Sequence, residues 1–134
     1  MITFESFIMR EGSPIYLQIL LYIKRGIIAG SIKDGDELPS RRVLSALLGI
    51  NPNTVQKAYR QLEEEGLIQS RTGAKSCVAV TEQLLLTIRR ELLDEDAKGI
   101  VRSLKLTGVS KEESHQLIER YWEEDVNAKV AEEA

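Results

Sequence analysis

Residues 40–66 read SRRVLSALLGINPNTVQKAYRQLEEEG and contain two helical patterns, one on each side of Gly49. Ser40 can cap the first helix, because a serine hydroxyl accepts a hydrogen bond from a free N–H at a helix start. The predicted apolar face of this helix consists of Val43, Leu44, Leu47 and Leu48. Glycine adopts the backbone angles of a tight turn without strain, so Gly49 is predicted to end the helix.

The second helix begins with Asn51 as its cap and Pro52 at its first position, where proline fits a helix best. It is predicted to run to about Glu65, where Gly66 stops it. Its apolar stripe has the spacing of one helical face and consists of Val55, Ala58, Tyr59 and Leu62. Two crossing helices joined through a glycine turn predict a helix-turn-helix. An ordinary pair of packed helices would have the same apolar pattern.

The outer face of the second helix favours nucleic-acid binding over that simpler alternative. At about 100° per residue, the side chains that face away from the stripe or flank it are Asn53, Gln56, Lys57, Arg60 and Glu64. Amide side chains can bond adenine edges, and Lys or Arg can reach guanine or phosphate. Most of these residues lie in the N-terminal turns, the end that a recognition helix places in the major groove. Ser40, Arg41 and Arg42 are suited to hold the phosphate backbone.

Neighbouring segments extend this pair of helices to a winged helix. A helix is predicted over residues 14–29, with Ser13 as its cap. Residues 67–70 and 76–80 read as two short strands of a β-hairpin. The basic residues beside the predicted hairpin turn are Arg71 and Lys75. The chain is therefore expected to be mostly α-helical with a small β-hairpin.

The C-terminal part returns to a helical period, with one helix over about residues 81–106 and another that starts at a capping box of Ser110 and Glu113. The apolar residues at helical spacing are Leu84, Leu85, Ile88, Leu92, Ile100, Val101, Leu104, Leu117, Ile118, Tyr121 and Trp122. Two amphipathic helices cannot bury a broad apolar face by themselves, so we expect them to pair with a second copy of the chain. The predicted division is a DNA-binding domain over residues 1–80 and a dimerisation region over residues 81–134.

Composition limits the other classes of function. The 134 residues allow one compact domain, or a small domain with an appendage. The net charge is −3, but residues 1–80 carry ten Lys/Arg and eight Asp/Glu, which leaves the N-terminal part positive. Cys77 and His115 are the only cysteine and histidine, which gives little support to catalysis, a metal or a cofactor. The N-terminus lacks the pattern of a secretion signal, so a cytoplasmic protein is expected.

Several motifs resemble the N-terminal winged-helix domain of GntR-family bacterial transcription regulators. They are PIYLQI, G…LPSxR, LGINPNTV and YxxLExEGLI, and the resemblance covers about residues 13–80. The short two-helix tail is similar to the YtrA-type branch of that family, whose members are dimeric repressors often associated with transporter operons. The resemblance implies a sequence-specific regulator that binds a palindromic operator as a homodimer. A winged helix that binds a protein partner instead of specific DNA is the alternative.

The resemblance also implies contact roles for Arg42 at the start of the first helix of the pair and for Asn53, Thr54 and Gln56 on the second. Together with the outward polar residues, the predicted DNA-contacting set is Ser40, Arg41, Arg42, Asn51, Asn53, Thr54, Gln56, Lys57, Arg60, Arg71, Thr72, Gly73 and Lys75. Many relatives carry an acidic residue at the position of Arg41, arginines at those of Pro52 and Gln56, and a glycine at that of Lys75. The departures at Arg41 and Lys75 add positive charge to this chain, whereas those at Pro52 and Gln56 remove arginine contacts that the resemblance would otherwise imply.

Overall fold

The computed structural model of the protein describes residues 1–70 and 75–124. Its elements in chain order are α1 (Ile15–Ala29), α2 (Arg41–Leu48), α3 (Pro52–Glu64), β1 (Ile68–Gln69), β2 (Cys77–Val78), α4 (Glu82–Leu106) and α5 (Lys111–Tyr121). The predicted fold, mostly helical with a small β-hairpin, is confirmed. The chain packs as two units, one over Met1–Arg89 and one from Arg90 onward.

The helix starts agree with the predicted caps at α2, α3 and α5 and differ at α1. The Ser40 hydroxyl accepts from the Val43 N–H at 3.1 Å, and the Asn51 side chain accepts from the Asn53 N–H at 2.8 Å. The prediction that Ser13 caps α1 is wrong. Pro14 stays extended and occupies the cap position itself, so Ser13 lies one residue too early to reach the first free N–H groups.

The core of the first unit forms where α1 and α2 each pack against α3. The predicted stripe of α3 is confirmed, since all four of its members are buried. From α1 the core receives Ile19, Leu20, Ile23 and Ile27. Lys24 of α1 also forms a salt bridge of 2.7 Å with Glu65 at the end of α3. Both helices are thus fixed against each other by apolar packing and by one partly buried ion pair.

The hairpin is antiparallel as predicted, but its strands are shorter than the predicted ranges and it has a third partner. Ile68 pairs with Val78, and Gln69 pairs with Cys77. Residues 35–38, predicted as part of a turn, run beside β2: Val78 N–H donates to the Asp36 carbonyl at 2.8 Å, and Leu38 N–H donates to the Ser76 carbonyl at 2.9 Å. The glycines and aspartates around this segment are typical of turns, so the sequence pattern did not predict an extended segment that pairs with residues about forty positions away.

The N-terminal arm, residues 1–12, adds a layer that the sequence pattern did not predict. Ile2 N–H donates to the Glu37 carbonyl at 2.7 Å, so the arm lies beside residues 35–38, the extended segment next to β2. Ile2 and Phe4 are buried. The Phe4 ring stacks on Tyr22 of α1 with the centroids 4.9 Å apart, and the Tyr22 hydroxyl donates to the Thr3 carbonyl. The arm therefore closes one side of the core.

The first turns of α4 belong to the winged helix and not to the second unit. Leu84, Leu85 and Ile88 pack in or against the core of the first unit. The division between the units thus falls after Arg89, later than the predicted position near residue 80. The reason is that the apolar side chains of the first turns of α4 bury themselves against this core. These three side chains pack within the first unit, although the sequence pattern predicted that they take part in dimerisation.

The second unit exposes most of its large apolar side chains. Those at least 40% exposed on the later part of α4, on α5 and at the C-terminal cap of α5 are Leu93, Ile100, Val101, Leu106, Ile118, Tyr121 and Trp122. Leu92 is buried, whereas Leu104 and Leu117 are half-buried. The Ser110 hydroxyl caps α5 by accepting from the Glu113 N–H at 3.1 Å. Among the described residues, no helix is both long enough and apolar enough to span a membrane.

Candidate nucleic-acid interface

The turn between α2 and α3 is closed by one small side chain. Gly49 has the left-handed backbone angles φ 66° and ψ 38° that glycine adopts without strain. The buried Ser45 hydroxyl donates to the Ile50 carbonyl at 2.7 Å, and Ile50 N–H donates back to the Ser45 carbonyl at 3.1 Å. These reciprocal bonds fix the angle at which α3 leaves the turn.

The predicted apolar face of α2 is only partly correct. Leu44 is fully buried and Leu48 is half-buried, but the exposed fractions of Val43 and Leu47 are 55% and 65%. An eight-residue helix that crosses α3 touches it along a narrow line. That line runs through Leu44 and Ser45, which leaves the other two side chains beside the contact.

Tyr59 connects α3 to the segment that leads into α2. Its side chain is 1% exposed, and its hydroxyl donates to the Pro39 carbonyl at 2.7 Å. Burial raises the pKa of Tyr59 above its usual value of 10.0, and the nearby Arg41 guanidinium opposes this in part. The hydroxyl therefore stays protonated, as its donor role requires.

The burial of Tyr59 predicts a loss of stability in alkaline solution. The unfolded chain releases this proton near pH 10.0 while the folded chain retains it, so the free energy of unfolding falls as the pH rises above that value. We expect Tyr59→Phe to make the fall in the free energy of unfolding with pH less steep, by up to about 1.4 kcal/mol per pH unit. Urea unfolding at several pH values between about 8 and 11 measures it. Tyr22, whose pKa is also raised by burial and by Glu5, remains in the variant, so part of the slope should persist.

The outer face of α3 carries polar side chains that take no part in the core. Asn53, Lys57 and Arg60 are exposed, and Thr54 and Gln56 are half-buried. The Asn51 side-chain oxygen is used for the cap. This face presents hydrogen-bond donors and acceptors from the N-terminal turns of the helix, the arrangement that base edges in a major groove require.

Two cations of the predicted contact set lie on aromatic rings. The Lys57 ammonium is 4.0 Å from the centroid of the Tyr16 ring, and the Arg41 guanidinium carbon is 5.5 Å from that of Tyr59. Lys57 stays exposed, so its charge remains available at the edge of the face. These contacts depend on how α1 and α2 pack on α3, which no local pattern reveals.

The remaining predicted contacts lie at the start of α2 and on the wing. Arg42 is exposed, Ser40 is half-buried, and Lys75 is exposed where the chain enters β2. Arg71, Thr72 and Gly73 lie outside the described residues. Of the titratable groups in the described part of the chain, no three His, Cys, Asp or Glu side chains are grouped so that they could hold a metal ion.

Three helices, a glycine turn and a hairpin behind the second helix of the pair define a winged helix-turn-helix. Comparison with known proteins agrees. Residues 15–78 match the family described as bacterial regulatory proteins, gntR family. The chain is 33% identical over 122 residues to the HTH-type transcriptional repressor YtrA of Bacillus subtilis (strain 168), and the match covers 90% of each chain.

Solved structures give the same relationship. The fold is similar to that of a GntR family transcriptional regulator from Listeria monocytogenes, with a TM-score of 0.72 and 27% identity over 84% of this chain and 98% of that one. It is also similar to YtrA from Sulfolobus acidocaldarius, a GntR-family transcription factor, with a TM-score of 0.51 and 37% identity over 65% of this chain and 95% of that one.

The chain therefore belongs to the GntR family of bacterial transcription regulators, and within it to the YtrA-related members. The family resemblance seen in the sequence is confirmed. Regulators of this family bind DNA operators and are not enzymes. The winged helix of this chain is accordingly a DNA-binding domain.

Proposed function

We propose that the protein is a sequence-specific repressor that binds a palindromic operator as a homodimer, in the cytoplasm, and controls a transporter-type operon. The observation that carries the proposal is the outer face of α3, which has polar side chains for contact and no role in the core. Repression is supported by the similarity to a relative that is named a transcriptional repressor. The operon type rests on the resemblance to the YtrA-type branch.

The second unit is proposed as the dimerisation region. Trp122 and Leu106 are 77% and 84% exposed, and five further apolar side chains of this unit are at least 40% exposed. So many exposed large apolar side chains in one small unit favour an interface with another chain. A two-fold pair would present two α3 helices to half-sites separated by one turn of DNA or a multiple of it.

The contact set is proposed in two classes. The side chains proposed to read bases are Asn53, Thr54, Gln56 and Arg60 on α3. The side chains proposed to contact the backbone are Ser40, Arg41, Arg42, Lys57 and Lys75. Phosphate contacts position the protein and account for salt dependence, whereas base contacts determine sequence preference.

The first test replaces the amides of α3. We expect Asn53→Ala and Gln56→Ala each to weaken operator binding by about 1–3 kcal/mol and to relax base preference at one position per half-site, because a lost bidentate contact leaves the base edge unpaired. The operator is first obtained by selection from genomic DNA, and affinities are then measured by fluorescence anisotropy at fixed salt.

Glu63→Gln is the matched control, since Glu63 is exposed at the far end of the same helix. It should leave base preference unchanged. Arg42→Ala should weaken binding to all sequences alike and lower the salt dependence. Selection that returned no sequence bound more tightly than random DNA would contradict the proposal and favour a protein partner for the winged helix.

A further inference from the structure

A cavity of about 570 Å³ lies between the start of α2 and the wing. Its described lining is Glu37, Pro39, Ser40, Arg41, Tyr59, Ser70, Lys75 and Ser76. The volume is within the range of small-molecule sites. All of these residues belong to the first unit, so the cavity is a feature of the winged helix alone.

Arg41 gives this cavity a positive charge beside an aromatic ring. The side chain lines the cavity and is half-buried, and its guanidinium carbon lies 5.5 Å from the centroid of the Tyr59 ring. Its Nε atom is fully buried and has no hydrogen-bond partner among the described residues, so the terminal guanidinium nitrogens are the donors available to a ligand in the cavity. The contact with the ring restricts the guanidinium group before any ligand arrives.

The other lining groups favour a negatively charged ligand. Lys75 adds a second positive charge, and Glu37 is the single carboxylate among the described lining residues. The Ser70 and Ser76 hydroxyl oxygens lie 3.4 Å apart, and the Ser40 hydroxyl, which accepts from Val43 N–H, still has its own proton to donate. A planar guanidinium with an ammonium and several hydroxyls is the donor set that binds phosphate oxygens.

We infer that the cavity at the junction of α2 and the wing is an oxyanion site that binds a phosphate group, with Arg41 as its principal ligand. The phosphate can come from the backbone of bound DNA or from a free phosphorylated compound or inorganic phosphate. The inference rests on the proposed function only for the first source. The second source would make operator binding sensitive to the concentration of a small phosphorylated compound.

The first experiment titrates the full-length protein with inorganic phosphate, without DNA, by isothermal calorimetry. We expect saturable binding that Arg41→Gln weakens by about tenfold or more, because a charge-assisted hydrogen bond is lost. Arg10→Gln is the control, since it removes the same charge from an exposed position of the first unit outside the cavity lining and the proposed DNA contacts, and it should change the affinity by less than about twofold. Lys75→Gln should also weaken phosphate binding. Because Lys75 is exposed, this second variant is expected to fold normally even if a change at Arg41 disturbs the structure.

The second experiment uses operator duplexes in which single phosphates are replaced by neutral methylphosphonates. If backbone phosphate fills the site, one replacement per half-site weakens binding by the wild-type protein and has no effect on Arg41→Gln. Binding of free phosphate that depends on Arg41 supports the inference with the free source, and the methylphosphonate result supports it with the DNA source. If neither is seen, or if Arg10→Gln has the same effect as Arg41→Gln, the inference is wrong. Failure of the wild-type protein to bind any operator would contradict the proposed function and leave the phosphate titration valid.

Discussion

Replacing Ile118 and Tyr121 together with glutamate is expected to convert the protein to monomers and to weaken operator binding by about 100-fold. The two side chains are 47% and 44% exposed on α5, where a second copy of the chain is proposed to cover them. Charges placed in an apolar interface must be desolvated without partners, which opposes association. In a dimer, binding of one winged helix holds the second one close to the other half-site, which raises its effective concentration there. A monomer lacks this gain. Sedimentation equilibrium measures the association, and anisotropy with a full operator measures the binding.

Gln116→Glu serves as the control, because it adds a charge to the same helix at an exposed position about 160° away from Ile118. It should remain dimeric and bind as the wild type does. A half-site duplex gives a further check, since the double variant and the wild type should bind it with similar affinity. A double variant that stayed dimeric would assign dimerisation to another surface.

Tyr59→Ala is expected to lower the free energy of unfolding by about 3–5 kcal/mol. The side chain is 1% exposed and lies among the core residues shared by α1, α2 and α3. Its removal leaves a cavity and an unpaired Pro39 carbonyl. Urea unfolding followed by circular dichroism measures the loss.

Two companion variants separate the causes of that loss. Tyr59→Phe keeps the ring and removes the hydrogen bond, for which we expect about 1–3 kcal/mol. Arg60→Ala, at the next and exposed position, should change stability by less than about 0.5 kcal/mol. Equal losses for Phe and Ala at position 59 would mean that the hydroxyl, and not the packing of the ring, holds α3 in place.

Local patterns predicted the elements that have strong boundaries. Asn51 and Pro52 mark the start of α3 by chemistry that acts within one turn of helix, and the buried stripe of α3 follows from its period. The same reasoning failed for Val43 and Leu47, because their exposure depends on the angle at which a short helix crosses its neighbour. It also set a boundary near residue 80, whereas the first turns of α4 pack with the first unit, because an amphipathic period does not tell which surface the helix covers.

Long-range contacts explain what else the sequence did not reveal. The N-terminal arm and residues 35–38 are extended segments whose partners are distant in the chain. Residues 35–38 have no alternating apolar pattern, and the alternation in the arm is limited to residues 2–5, too short to indicate a partner. In the candidate site, residue types predicted the polar face of α3. The positions of Arg41 and Lys57 on aromatic rings required the packed helices. The cavity that Arg41 lines was likewise not predictable from the sequence.

The hydrogen bonds between Ser45 and Ile50 set the position of α3 without using any side chain of its outer, DNA-facing surface. The cap at Asn51 uses a backbone N–H of residue 53, so a different side chain at that position keeps the cap. Asn53 and Arg60 can therefore be exchanged without disturbing the core. Related regulators could diverge in operator preference through these positions alone, and a library of variants at them would be a practical source of repressors with new specificities on an unchanged scaffold.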